Sequence, residues 1–70
     1  MRLSTRNQFA GKVVSITSGE AMSVVKIAID NTDLVITAAV TKDAVADLGL
    51  EVGSPAYALV KSTEVQIGID

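Results

Sequence analysis

The sequence predicts an all-β fold with one short helix, in the element order β-β-β-α-β-β. Three observations predict it. Val25, Ile27 and Ile29 alternate with Val24, Lys26 and Ala28, which is the two-residue period of a strand. Turn-forming clusters at Thr17-Ser18-Gly19-Glu20, Asp30-Asn31-Thr32-Asp33 and Ser62-Thr63-Glu64 cut the chain into short lengths. The period changes once, after Thr41, where Ala44, Val45 and Leu48 take helical spacing.

Each element follows from its residues. Phe9 to Ile16 (F-A-G-K-V-V-S-I) is β-rich and closed by the first turn cluster. Met22 to Ile29 is the alternating strand. Asp30 to Asp33 forms a turn because Asx side chains bond nearby backbone and tolerate left-handed geometry. Leu34 to Val40 is a third strand whose second face (Val35, Thr37, Ala39) is also largely apolar, which suits burial on both sides. Thr41 is suited to cap a helix of barely two turns, which Gly49 ends as a C′ glycine. Leu50 to Pro55 connects to a fourth strand, Ala56 to Lys61, and Val65 to Ile69 reads as a fifth. So many strands in so short a chain remove their edges most economically by closing, and this element order is that of the OB-type Greek-key barrel.

Composition sets the limits on function. Seventy residues weighing 7.3 kDa make one domain, residues 1–70. A chain of this size buries roughly 60% of the surface its unfolded form exposes. Apolar residues are 49% of it, aromatics only 3%, and the mean hydropathy is +0.43. That much Val, Ile, Ala and Leu exceeds what one small core can hide. Subunit interfaces could take the remainder, since obligate ones resemble a core cut in half.

Without cysteine there is no disulfide, thiolate nucleophile or thiolate metal site, and without histidine no imidazole base or ligand. A net charge of −2 and a pI near 4.8 argue against general binding to nucleic acid or an anionic membrane. One Tyr, one Phe and no Trp offer little for base stacking. The most apolar stretch, Leu34 to Val40, is interrupted by Thr37 and far shorter than a span of about 20 residues. Met1 to Asn7 lacks the apolar centre of a secretory signal, so a cytoplasmic location is expected. Catalysis is not expected.

Positive charge resides in Arg2, Arg6, Lys12, Lys26, Lys42 and Lys61. Two of these keep company with hydroxyls: Arg6 follows Ser4 and Thr5 just before the first strand, and Lys61 precedes Ser62 just after the fourth. A cation, hydroxyls and uncommitted backbone N–H groups are the parts of an oxyanion site. A frayed terminus and an ordinary turn would present the same residues. Thr41-Lys42 is a third candidate, through the free N–H groups of a helix start. Lys61-Ser62 does not suit a catalytic Ser–Lys pair, because neighbours on an extended strand point to opposite faces. Asp30 and Asp33 lack the ligand run of a calcium loop.

Taken together, Ser4-Thr5-Arg6-Asn7-Gln8, Gly11-Lys12-Val13-Val14, Thr41-Lys42-Asp43, Leu48-Gly49-Leu50 with Gly53, Ala58 to Lys61, and the ending Ile67-Gly68-Ile69-Asp70 resemble the Mop domain. They resemble most closely the molbindins, which consist of a single such domain. The resemblance runs over essentially the whole chain without an obvious insertion. It implies an OB-like barrel that binds molybdate or tungstate in the cytoplasm, for storage or molybdenum homeostasis, or as a sensing module acting with a transporter ATPase or a transcription factor. It implies self-association, typically a homohexamer built as a trimer of dimers, with oxyanion held between subunits and no metal bound directly by protein side chains. Carried over by position, it makes Ser4, Arg6, Lys61 and Ser62 the core of the site, with Thr5 contributing a backbone or hydroxyl donor and Thr41 approaching from a neighbouring subunit. Gly19 and Glu20 would lie near a second site. Met22 and Ala44 stand where many relatives carry Asn and some carry Ser, which removes polar groups from that second site.

Overall fold

The computed structural model describes residues 3–70, so Met1 and the cation Arg2 lie outside it. The elements are β1 (Asn7–Ser18), β2 (Met22–Ile29), β3 (Val35–Thr41), α1 (Lys42–Leu48) and β4 (Pro55–Val60), followed by a 3-10 turn over Ser62–Glu64. The four strands form one antiparallel sheet in the order β3-β2-β1-β4. Three consecutive strands joined by short connections, with the fourth returning beside the first, make a Greek key.

Burial follows the alternation read from the sequence. Ser23, Val25, Ile27 and Ile29 of β2 face inward and are buried, while Met22, Val24 and Lys26 are exposed. With Val13 and Ala58 these aliphatic residues form the core, and Ile16, Ile36, Val40, Val45, Leu50 and Ala56 pack around it. β1 serves both neighbours: Asn7 to Lys12 pair with β4, and Gly11 to Ser18 pair with β2. A bulge between Val13 and Ser15 inserts one residue. It lets Val13 and Ile16 both point inward, although three positions apart they would otherwise face opposite sides. Beside the bulge, the Val13 N–H donates to Ser54 O (2.9 Å) and the Gly53 N–H donates to Val13 O (2.7 Å).

The turns obey their residue chemistry. Asn31 takes the left-handed conformation (φ 61°), and Thr32 Oγ1 donates to Ile29 O at 2.9 Å and accepts from the Leu34 N–H at 3.0 Å. Thr41 Oγ1 accepts from the Ala44 N–H at 3.1 Å, and Gly49 ends α1 at φ 62°.

Three expectations need correction. Val65 to Ile69 is not a strand: the described residues form four strands, and the segment carries no sheet pairing in its own chain. The chain leaves β4 through the 3-10 turn at Ser62–Glu64 and not through a hairpin that would fold it back along the β4 edge. Val35, Thr37 and Ala39 are exposed, because β3 is an edge strand with nothing covering its outer face in a single chain. Leu48 is 72% exposed, since α1 is too short to carry it back over the sheet; Ala44 and Val45 are half-buried.

Candidate functional site

The β1–β4 ladder determines which candidates meet. Asn7 lies opposite Val60, so Ser4-Thr5-Arg6 leaves β1 beside the point where Lys61-Ser62 leaves β4. Residues from the two ends of the sequence thereby share one end of the sheet. Asn7 Nδ2 donates to Val60 O at 3.1 Å across 53 positions of sequence, which braces the junction next to Lys61. Gln8 Nε2 donates to Thr5 O at 2.6 Å and holds the preceding turn against the strand. The Glu64 N–H donates to Lys61 O at 2.9 Å, closing the 3-10 turn that carries Ser62. Ser4, Arg6, Lys61 and Ser62 are exposed and Thr5 is half-buried.

Chemically the junction is rich in donors. Arg6 and Lys61 donate and carry positive charge, and the hydroxyls of Ser4, Thr5 and Ser62 orient freely. Such a lining complements a small anion that accepts hydrogen bonds and offers none. Asn7 and Gln8 carry uncharged amides, so nothing in their residue type marks them as site residues. The signal available is their position directly after Arg6, where β1 begins.

Thr41 lies elsewhere. It pairs with Met22 at the end of β3, next to the Ser18–Ser23 pair, whereas Asn7 begins β1. The two ends of β1 are separated by roughly 35 Å of strand path at about 3.3 Å per residue. Within one chain, Thr41 and the Arg6–Lys61 junction are at opposite ends of the sheet. Around Thr41 the structure gathers Gly19, whose N–H donates to Met22 O at 2.8 Å, and Lys42, whose N–H donates to Ala21 O at 2.8 Å. Glu20 is exposed in the same β1–β2 turn. The expectation of free N–H groups at the helix start is therefore corrected: those of Lys42 and Ala44 already have partners. What Thr41 retains is its own O–H proton, because its oxygen serves the cap as acceptor. Nearby, Ser18 Oγ and the buried Ser23 Oγ share a hydrogen bond of 3.1 Å.

The described residues contain no cluster of three or more Asp or Glu side chains able to hold a metal ion. No described helix is long and apolar enough to cross a membrane.

Comparison with known proteins places this geometry in a family. The TOBE domain model matches residues 3–67. A protein of Haemophilus influenzae named probable molybdenum-pterin-binding protein is 44% identical over 70 residues, covering the whole of both chains. Molybdenum-pterin-binding protein 3 of Clostridium pasteurianum is 39% identical, over 96% of this chain and 97% of its own. Among solved structures, MopII from Clostridium pasteurianum superposes with a TM-score of 0.91 at 37% identity, over 97% of this chain and all of its own. A molybdate-binding protein from Sporomusa ovata gives 0.90 at 35% identity, over 99% of this chain and 100% of its own. The cytoplasmic molybdate-binding protein ModG, solved with molybdate bound, gives 0.82 at 42% identity, over 89% of this chain and 43% of its own. The chain therefore belongs to the TOBE-domain family and, within it, to the small molybdenum-pterin-binding (Mop) proteins.

Proposed function

We propose that this protein binds molybdate, and tungstate as well, without transforming it, at sites formed where copies of the chain meet, and that it serves as a cytoplasmic store in molybdenum homeostasis. The observation that carries the reading is the β1–β4 register, which sets Ser4-Thr5-Arg6 beside Lys61-Ser62. Molybdate is a tetrahedral dianion at neutral pH and accepts hydrogen bonds without donating any. Arg6 and Lys61 balance its two charges, and Ser4, Thr5 and Ser62 supply neutral donors. Phosphate keeps at least one proton at that pH and would want an acceptor, so a lining of donors selects against it.

Thr41 completes the site from a neighbouring copy, since its own chain holds it at the other end of the sheet. A homohexamer, arranged as a trimer of dimers, would bring the two ends together. Gly19 and Glu20, beside Thr41, mark a second and less polar location for oxyanion. The names of the Clostridium, Sporomusa and ModG relatives support the ligand class.

Titration calorimetry with sodium molybdate tests the site. The wild type should bind saturably, and Arg6→Ala and Lys61→Ala should each weaken binding at least tenfold while the far-UV circular dichroism spectrum is unchanged. Wild-type affinity in both variants would reject the assignment. A second reading, an oxyanion sensor acting on a transporter ATPase or transcription factor, draws support from the 39% identity to a segment of the molybdenum transport protein ModE of Azotobacter vinelandii, a protein of which the match covers 24%. A partner retained in pull-downs only when molybdate is present would favour it.

A further inference from the structure

Four backbone carbonyls in the two segments that meet at the junction already accept hydrogen bonds. Thr5 O takes Gln8 Nε2 at 2.6 Å, and Val60 O takes Asn7 Nδ2 at 3.1 Å. Lys61 O takes the Glu64 N–H at 2.9 Å, and Ser62 O takes the Val65 N–H at 3.4 Å. The last two bonds come with the 3-10 turn and its exit. The first two depend on adjacent side chains, Asn7 reaching across to the carboxy-terminal arm and Gln8 back to the amino-terminal one.

Engaged carbonyls affect an anion site in two ways. A trans peptide presents its C=O and the following N–H in opposite directions, so holding the carbonyl decides which of the two is offered. The Thr5–Arg6 peptide lies ahead of the ladder, which begins at the Asn7–Val60 pair, and the Gln8 amide does for it what a ladder bond would do. The second effect is on hydroxyls. A Ser or Thr hydroxyl can accept as well as donate, and it donates to a ligand only where no other acceptor draws its proton away. With the carbonyls beside them in sequence engaged, Ser4, Thr5 and Ser62 keep their protons for the oxyanion.

We propose that Asn7 and Gln8 are positioning residues for oxyanion specificity: by engaging Val60 O and Thr5 O they keep acceptors out of the junction, so that a tetrahedral dianion without protons is preferred over one that carries a proton. Neither residue touches the ligand; each acts through a carbonyl. The inference rests on the oxyanion site of the proposed function and adds the residues that make its lining donors alone. A replacement without an N–H frees the carbonyl to accept from a P–OH group. The gain falls on phosphate and not on sulfate, a dianion with no proton, so the two competitors separate an unmasked acceptor from a loss of fit or charge.

Competition calorimetry against molybdate at about pH 8.5 tests this with three ions of equal charge, since phosphate is then mainly its singly protonated dianion. Gln8→Met and Asn7→Leu keep side-chain size and remove the donor. Each should lower the ratio of molybdate to phosphate affinity about fivefold, roughly the worth of one hydrogen bond, and leave the ratio of molybdate to sulfate within about twofold of wild type. Gln8→Lys restores an N–H donor of similar reach and should return the phosphate ratio toward wild type, its added charge acting on the three dianions alike. Equal weakening of all three ions overturns the proposal and leaves only a structural brace, as does an unchanged phosphate ratio. Gln8 is exposed, so its replacement leaves the core intact and decides the matter if Asn7→Leu lowers stability. Wild-type molybdate affinity in Arg6→Ala and Lys61→Ala overturns the site itself, an outcome distinct from any change in the ratios.

Discussion

Gly11 lies where β1 pairs with Ile29 of β2, so near the neighbouring strand that a Cβ would fall far inside contact with the Ala28 carbonyl oxygen and 2.9 Å from Ile27 Cγ2. Neither neighbour can give way, one being backbone and the other a core side chain. Gly11→Ala should therefore destabilise the fold by about 1–3 kcal/mol or more, read as a lower urea midpoint. Removing volume from the same place has a comparable effect by another route. Ile27 is buried at 7% exposure, and Ile27→Ala leaves a cavity worth about 2–5 kcal/mol. Asn7 works through position: its amide holds Val60 O, and Lys61 follows. Asn7→Ala should weaken molybdate binding by less than Arg6→Ala does, because it loosens the junction without removing charge. Calorimetry on the two variants side by side checks the order.

Among the elements, α1 depends most on its ends. Seven residues are too few to be helical on propensity alone, so the Thr41 cap and the left-handed Gly49 hold it. Thr41→Ala should cost about 1 kcal/mol, and Thr41→Ser should recover most of it, since the acceptor oxygen is what the Ala44 N–H requires. If Thr41 also donates to oxyanion from a neighbouring copy, Thr41→Ala lowers molybdate affinity as well and Thr41→Ser restores both. Denaturant titration and calorimetry on the same two variants separate the effects. β1 depends instead on its bulge, which lets one strand serve two neighbours whose inner faces fall out of step.

At the scale of the whole molecule, many large apolar side chains are left at the surface. Among the described residues, fourteen large apolar side chains are exposed, from Leu3 and Phe9 to Ile67 and Ile69, against five hydrophobic residues in the buried core. Solitary exposed side chains are ordinary, but a surplus spread over both sheet edges and the tail calls for covering. If copies assemble as proposed, assembly and ligand are linked. Molybdate that binds only the oligomer stabilises it by mass action, by about 2.7 kcal/mol at a hundred times the dissociation constant. Thermal melts should shift upward with molybdate and with protein concentration, and the molybdate shift should vanish in Arg6→Ala.

Much of this was legible in the residues. The alternation at Val25, Ile27 and Ile29, the Asx turn at Asn31, and the Thr41 and Gly49 caps are local, set by side-chain period and backbone preference within a few positions. The surplus of apolar residues, which composition alone reveals, likewise pointed beyond a single core. Tertiary structure decided what depends on register between distant segments. It set Asn7 against Val60, and so Arg6 beside Lys61, while holding Thr41 at the far end of the sheet. It also left Val65 to Asp70 without a partner, although their pattern is that of a strand. Side-chain alternation says which face a residue prefers, but the edge it pairs with depends on which edges the rest of the fold leaves open.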